Sequence, residues 1–352
     1  MMGKHKFLLG AILFVLSWGA VVSCSALQSP EDGATETDPI VLGYSNWAGW
    51  WPWAIAKERG LFEQNGANVH LQWFDGYVTS MEALAAGKLD ANSQTLNDTI
   101  SFAGKAIDGE VAVLVNDNSA GNDKIIARQE IDSVADLKGQ EVAVKKGIVD
   151  DFLLTLALRE NGLTREDVEI VDLETGSAAA AFVSKKVDAV GAFPPYWLTA
   201  LKREGSHEIA SSADFPGAIP DLLVTTQTLI DERPEQVQAL VKTWFDTLEF
   251  MANNPKRADA IMAERANVTP EKLQLFKEGT ELFEAQENLE AFSSGESMKN
   301  MPFAAQKMAD FMLQVDFIDK KPDLGAIFDD RFIKQYAQNH DGPSPQPWEG
   351  NS

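Results

Sequence analysis

The stretch SNWAGWWPWAIAKERG, residues 45–60, places Trp47, Trp50, Trp51 and Trp53 within seven positions. Gly49 and Pro52 lie among them, so the four indoles do not fit one face of a strand or a helix. They make either a loop folded back onto the core or an aromatic wall for a ligand. Carboxylates recur in other short polar stretches. Asp75 stands in FDGY, Asp98 in TLND, Asp117 and Asp123 in NDNSAGND, and Asp150 with Asp151 in IVDD. Carboxylates beside indole faces suit a small cation. A cation over tryptophan gains ~2 kcal/mol or more when desolvated. Micromolar binding requires about 8 kcal/mol, so carboxylate hydrogen bonds must supply the larger part. A guanidinium ion, flat and a donor on every edge, fits this inventory. An anion does not: it favours Arg, Lys and free helix N-termini. No arginine falls in 45–53 or in the carboxylate stretches, although Lys124, Lys145 and Lys146 stand beside them.

Each acid also has a plainer reading. Asp98 follows Thr95 by three residues, the spacing of a capping box. Asp150 and Asp151 can complement a helix dipole. Asp90 and Asp188 read as turn residues, and 117–123 as a hinge loop held by Asx turns.

The elements that must position these residues alternate. PIVLGYS, NVHLQWF, KLDANSQ and EVAVLVND read as strands, with helices between them stopped by Gly60 and Gly87. The pattern begins again after Gly121. KIIARQ, EVAVKKG, VEIVDL and VDAVGAF read as strands around the helices DDFLLTLALRENG and SAAAAFVSKK. Beyond Asp221 the sequence reads as mostly helical, TPEKLQLFKEGTELF included. Such β-α order predicts parallel sheets covered by helices. Ligands of such sheets sit beyond the carboxyl ends of the strands, which selects the tryptophan and aspartate stretches above together with Phe193–Trp197. KLDA at 88–91 and KVDA at 186–189 form a short internal echo, in keeping with two similar α/β lobes.

At 352 residues the chain has room for two lobes, and its formal charge of −23 excludes nucleic acid and anionic lipid surfaces as partners of a basic patch. Lys4 and Lys6 precede an apolar run from Phe7 to Val22, a leader too short for a good membrane span. It ends in VVSC, and Cys24 is the chain's one cysteine. This resembles a lipobox, in which that cysteine is acylated. The acidic stretch 25–38 reads as a flexible tether. An enzyme is the rival class. His5, His70, His207 and His340 have no metal-ligand spacing, and no GxSxG elbow is present.

The order YSNWAGWWPWAIAKERGLFEQNG, EALAAGKLDANSQTLNDT, SVADLKGQEVAVKKG and VDAVGAFPPYW resembles the solute-binding proteins of ABC importers, of the nitrate, sulfonate and taurine type with the related pyrimidine binders. WFDGY, LNDT, VNDNS and GND are similar to a subgroup associated with urea and guanidine use. The resemblance implies an α/β, two-lobed binding-protein fold of the type II kind with a ligand cleft. Expected boundaries are a signal peptide at 1–24, a tether at 25–38, lobe one at 39–122 plus 224–340, lobe two at 123–223 and a tail at 341–352. The hinge would cross near Gly121 and Val224. The resemblance implies no enzyme, but a monomeric lipoprotein on the periplasmic side of the envelope. It would be tethered through Cys24 and would serve a permease and an ATPase. Its ligand is guanidine or a related cation. Alternatives are nitrate, an aliphatic sulfonate, taurine or a pyrimidine, or a sensory binding protein without transport. The candidate ligand-binding residues are Trp47, Trp50, Trp51, Asp75, Thr95, Asn97, Asp98, Asn118, Asp123, Asp150 and Phe193. One or two of Trp47, Trp50 and Trp51 should face the cleft, with Trp53 packed into lobe one. No metal, cofactor or catalytic residue is expected.

Overall fold

Eleven strands run through the computed structural model, which describes residues 38–339. They are β1 (Ile40–Tyr44), β2 (Val69–Trp73), β3 (Ala91–Thr95), β4 (Val111–Ser119), β5 (Lys124–Ala127), β6 (Glu141–Val144), β7 (Glu169–Asp172), β8 (Ala189–Ala192), β9 (His207–Ser211), β10 (Pro220–Thr225) and β11 (Thr280–Leu282). The leader, Cys24, the tether up to residue 37 and the C-terminal tail lie outside the described residues.

The strands form two sheets, ordered β11-β4-β10-β3-β1-β2 and β7-β6-β8-β5-β9. In the first, β1 runs parallel to β2 and β3, whereas β10 is antiparallel to both β3 and β4. In the second, β6 runs parallel to β7 and β8, and β5 is antiparallel to β8 and β9. The two lobes therefore exchange a strand: each receives its antiparallel member from the far side of a crossing. The KLDA/KVDA echo marks this likeness. Asp90 Oδ2 accepts from the Val41 amide at the start of β1 (2.7 Å), and Asp188 Oδ2 accepts from the Glu141 amide at the start of β6 (3.1 Å). Each aspartate caps the neighbouring parallel strand, so these two are structural.

Two expectations need correction. The second crossing lies in 212–219 and not near Val224, because all of β10 belongs to the first sheet. The stretch read as one helix through Phe283 breaks after Lys277, and 280–282 becomes the edge strand β11 on β4. Gly279 sets that break: a Cβ there would meet Asn122 at 2.7 Å. Pairing to the open edge of β4 outweighs local helical preference.

The two crossings are stitched together. Ser119 Oγ and Ser212 Oγ lie 2.7 Å apart, and Ser212 Oγ also accepts from the Gly121 amide at 2.7 Å. Trp53 anchors lobe one. Its indole donates to Ser93 Oγ (3.0 Å), its ring stacks on Phe62, and it meets Trp244 of the long helix Pro234–Asn253 at 4.8 Å. Among the described residues no helix is long and apolar enough to cross a membrane.

Candidate functional site

The loop after β1 cannot be regular structure, since Pro52 starts the helix Pro52–Arg59 and the tryptophans precede it. It folds onto the carboxyl end of β4. Trp47 Nε1 donates to Asp117 Oδ1 at 2.9 Å. A Cβ at Gly49 would fall 1.9 Å from Asp117 Oδ2, so only glycine lets the backbone press on that carboxylate. A bulge at Asn116 shifts the β4–β10 register and sets Asp117 opposite Asp221. Asp221 has Thr95 as its partner on the other side, across β3.

Rings continue from this corner. Trp47 meets Trp50 at 6.3 Å, Trp50 meets Tyr77 at 5.3 Å, and Tyr77 meets Phe193 of lobe two at 6.4 Å. Asn46 Nδ2 donates across the cleft to Tyr196 Oη at 3.1 Å. Together the lobes line a small cavity, with room for about one water-sized group. Asn46, Trp47, Trp50, Tyr77, Thr95 and Asp221 line it from lobe one, Val149 and Phe193 from lobe two, and Asp123 from the first crossing. No Lys, Arg or His is among them.

The helix Leu96–Phe102 starts at this wall. Thr95 is its N-cap and accepts from the Asp98 amide, one half of the capping box expected from TLND; the Thr95 amide donates to Tyr77 Oη (3.0 Å) and not to Asp98. Its hydroxyl also donates to Asp98 Oδ2 (2.8 Å), and Asn97 Nδ2 donates to Oδ1 (2.8 Å). Capping and proximity to the cavity thus coexist at Asp98.

Four carboxylates converge here, Asp98, Asp117, Asp123 and Asp221, each at most 2% exposed. Burial pushes Asp98 up to about 7, against hydrogen bonds from Thr95, Tyr77 and the Val149 amide. Burial pushes Asp117 up to about 8, with Trp47 opposing. Asp123 rises to about 7 for the same reason, and nearby Lys124 lowers it only in part. Asp221 is raised well above the carboxylate range, by burial first and then by the charges of Asp117 and Asp123. Both Asp221 oxygens, Asp117 Oδ2, Asp123 Oδ2 and Trp50 Nε1 are buried without a hydrogen-bond partner. Buried polar atoms are rarely left so, and unpaired ones point to a group the site receives.

Of the residues selected from the sequence, the structure brings Trp47, Trp50, Thr95, Asp123 and Phe193 to one cavity, with Asn97 and Asp98 adjoining. Four others lie elsewhere. Trp51 is fully buried against Phe276 at 5.7 Å, because the helix start turns it toward the core. Asp75 is exposed, accepts from Trp73 Nε1 (2.8 Å), and lines an adjoining opening beside Glu174 that shares Asn46, Tyr77 and Phe193 with the cavity. Asn118 points to the opposite face of the first sheet from Asp117, as strand alternation requires, and lines a groove with Pro220 and Glu281. Asp150 is occupied within lobe two, accepting from the Lys145 and Asp151 amides and from Thr175 Oγ1. Asn46, Tyr77 and Asp221 complete the cavity without having been selected, and Asp117 stands beside Asp221 behind its lining. Among the described residues no group of three or more His, Cys, Asp or Glu is placed to hold a metal ion.

Comparison with known proteins gives this geometry its setting. Residues 33–266 match the model of the NMT1-like family. The chain belongs to that family. It is 29% identical over 251 residues to a Brucella abortus protein provisionally named as a binding protein, covering 70% of this chain and 77% of that one. It is 27% identical over 300 residues to a Bacillus subtilis protein provisionally named for binding aliphatic sulfonates, covering 84% and 87%. The structure of the alkanesulfonate-binding protein of Xanthomonas axonopodis pv. citri, bound to MOPS, superposes with a TM-score of 0.70 at 18% identity, over 84% of this chain and all of that one. The fold is therefore the two-lobed binding-protein fold expected from the sequence, and by family and relatives the chain is a solute-binding protein.

Proposed function

We propose that this protein is the solute-binding subunit of an ABC importer and that its cleft captures a small, flat, cationic nitrogen compound, with guanidinium as the type. The reading rests on one observation: two buried carboxylates, Asp123 and Asp221, line a cavity that Asp98 and Asp117 adjoin, and among the described residues its lining holds no basic side chain. An anion about 5 Å from one ionised carboxylate is repelled by about 3 kcal/mol at an effective dielectric near 20. A cation gains what an anion loses, and its N–H groups meet the unpaired oxygens of Asp123 and Asp221. The rings of Trp47, Trp50 and Tyr77 offer faces for a planar ion. The free space between the lobes is small, about the room of one water-sized group, which favours a few-atom solute over a larger one.

Guanidinium has four heavy atoms. At the ceiling of about 1.5 kcal/mol per heavy atom it binds no tighter than roughly 10⁻⁵–10⁻⁴ M. A rival reading, an aliphatic sulfonate, follows from what the Bacillus subtilis and Xanthomonas proteins are named for. Calorimetric titration with guanidinium, urea, nitrate, taurine and a short alkanesulfonate separates the two. The cation reading expects binding of guanidinium in that range and none of the anions at millimolar levels. Micromolar sulfonate binding with no response to guanidinium refutes it.

A further inference from the structure

The Asp117–Asp221 pair is the part of the cluster least able to stay as it stands. The two residues are direct register partners on antiparallel β4 and β10. Side chains so placed have Cβ atoms about 4.5–5.5 Å apart. Three of their four oxygens lack a partner, and the fourth takes the Trp47 indole. Two carboxylates at that separation, out of water, do not both ionise; one proton between them is the stable state.

The surroundings do not relieve the pair. Across β3 stands Thr95. Asp98 on the helix Leu96–Phe102 and Asp123 at the first crossing both add negative charge to Asp221. Tyr77 on the helix Tyr77–Ala85 is neutral, its phenol pushed up by burial and by Asp98. The helix Val149–Glu160 presents the Val149 amide to Asp98. Glu110 lies within the field of Asp98 and is itself buried. Among the described residues the basic side chain adjoining the cluster is Lys124, which is engaged by Glu208 and by the Trp197 ring.

We infer that the Asp117–Asp221 pair is the specificity element of the site: it holds one shared proton when empty and surrenders it to solvent when a cation enters, so that uptake is an exchange of a cation for a proton. This rests on the cation reading above. The balance is simple. The O–H bond of the pair breaks, the proton passes to water or buffer, and N–H donors of the ligand take the freed oxygens. The ligand's single positive charge replaces that of the proton, so the net charge of the buried cluster is unchanged. A neutral amide such as urea brings donors but no charge. It leaves the proton in place and gains no compensation for displacing it. The pair thereby discriminates between two ligands of nearly the same shape.

The test is calorimetry of the full chain with guanidinium chloride, at pH 7, in phosphate and in Tris, whose ionisation enthalpies differ. The dependence of the apparent enthalpy on buffer counts protons. About one proton released per cation is expected, and affinity should tighten close to tenfold per pH unit between pH 6 and pH 7.5. Asp221→Asn and Asp117→Asn should each flatten that slope and reduce the proton count, with thermal melts showing that both variants fold. Guanidinium binding with no proton release and no pH slope overturns the exchange but leaves the cation reading standing. The same proton count in wild type and both variants also overturns it. No guanidinium binding overturns both.

Discussion

Replacing Asp98 with Asn tests whether the cluster is as desolvated as its geometry implies. The carboxyl is fully buried, and burial raises it from 3.8 to about 7. The folded chain thus holds a proton that the unfolded chain gives up near pH 4. The sign follows: the contribution is most favourable at low pH, and stability falls as pH rises from about 4 through about 7. Linkage puts the fall between pH 5 and pH 8.5 at about 3 kcal/mol for this residue alone. Asparagine does not titrate. Loss of the Asp98 charge also eases the ionisation of Glu110 and Asp221, which it raises, so the variant's pH dependence flattens further. Changes in the bonds from Thr95 Oγ1 and Asn97 Nδ2 add an offset that does not depend on pH. Urea unfolding of ligand-free protein at pH 5 and pH 8.5, for wild type and variant, measures the difference. The variant should gain about 3 kcal/mol on wild type between the two pH values. Parallel pH profiles would refute the desolvation argument, and with it the buried carboxylate cluster as an electrostatic unit.

Two further outcomes concern the walls. Trp53→Ala should lower stability by about 3–5 kcal/mol, since the indole packs on Phe62 and Trp244, while changing affinity for guanidinium less than twofold by titration. A tenfold loss of affinity at unchanged stability would move Trp53 to the cleft. Tyr196→Phe removes the Asn46 bond between the lobes, worth about 1 kcal/mol. Ligand-free protein should then show a larger radius of gyration in small-angle scattering, and an unchanged profile counts against hinge opening at this contact.

How much of this was legible in the sequence depended on which rule could reach each residue. Trp47, Trp50, Asp98 and Asp123 were found because they follow or flank recognisable strands and the carboxyl-end rule points at such loops. Asp221 was missed for a physical reason. It begins an antiparallel strand, so it reaches the same edge of the sheet from its amino end. DLLVTT reads from the sequence as the hinge near Val224 and not as a strand of the first sheet, because nothing local says that residues after the second crossing return to it. Tyr77 stands in the FDGY stretch but carries no charge to single it out, and only tertiary structure shows its ring between Trp50 and Phe193. The opposite failure occurred at Asp150 and Trp51. Each lies where a ligand residue would, yet local hydrogen bonds or core packing claim the side chain.

The position of Asp123 and Asp221 links the site's charge to its movement. Asp123 directly precedes β5, and Asp221 is the second residue of β10, so each follows one of the two crossings. The exchange of antiparallel strands between lobes is what brings both beginnings to the cleft. Asp123 is further tied to the hinge through its amide on Ser119 Oγ and its carbonyl, which accepts from Ser212. A charge that enters the cavity therefore acts on carboxylates attached to the chain segments that must bend. With no ligand, ionisation of either acid adds repulsion between the crossing and the Asp98–Asp117 wall, as the mutual raising of these groups indicates. A bound cation reverses that sign and draws both crossings toward the wall. On the cation reading, closure needs no separate latch: N–H donors of one ligand bridge acids rooted on the hinge and acids of the wall, which an anion cannot do.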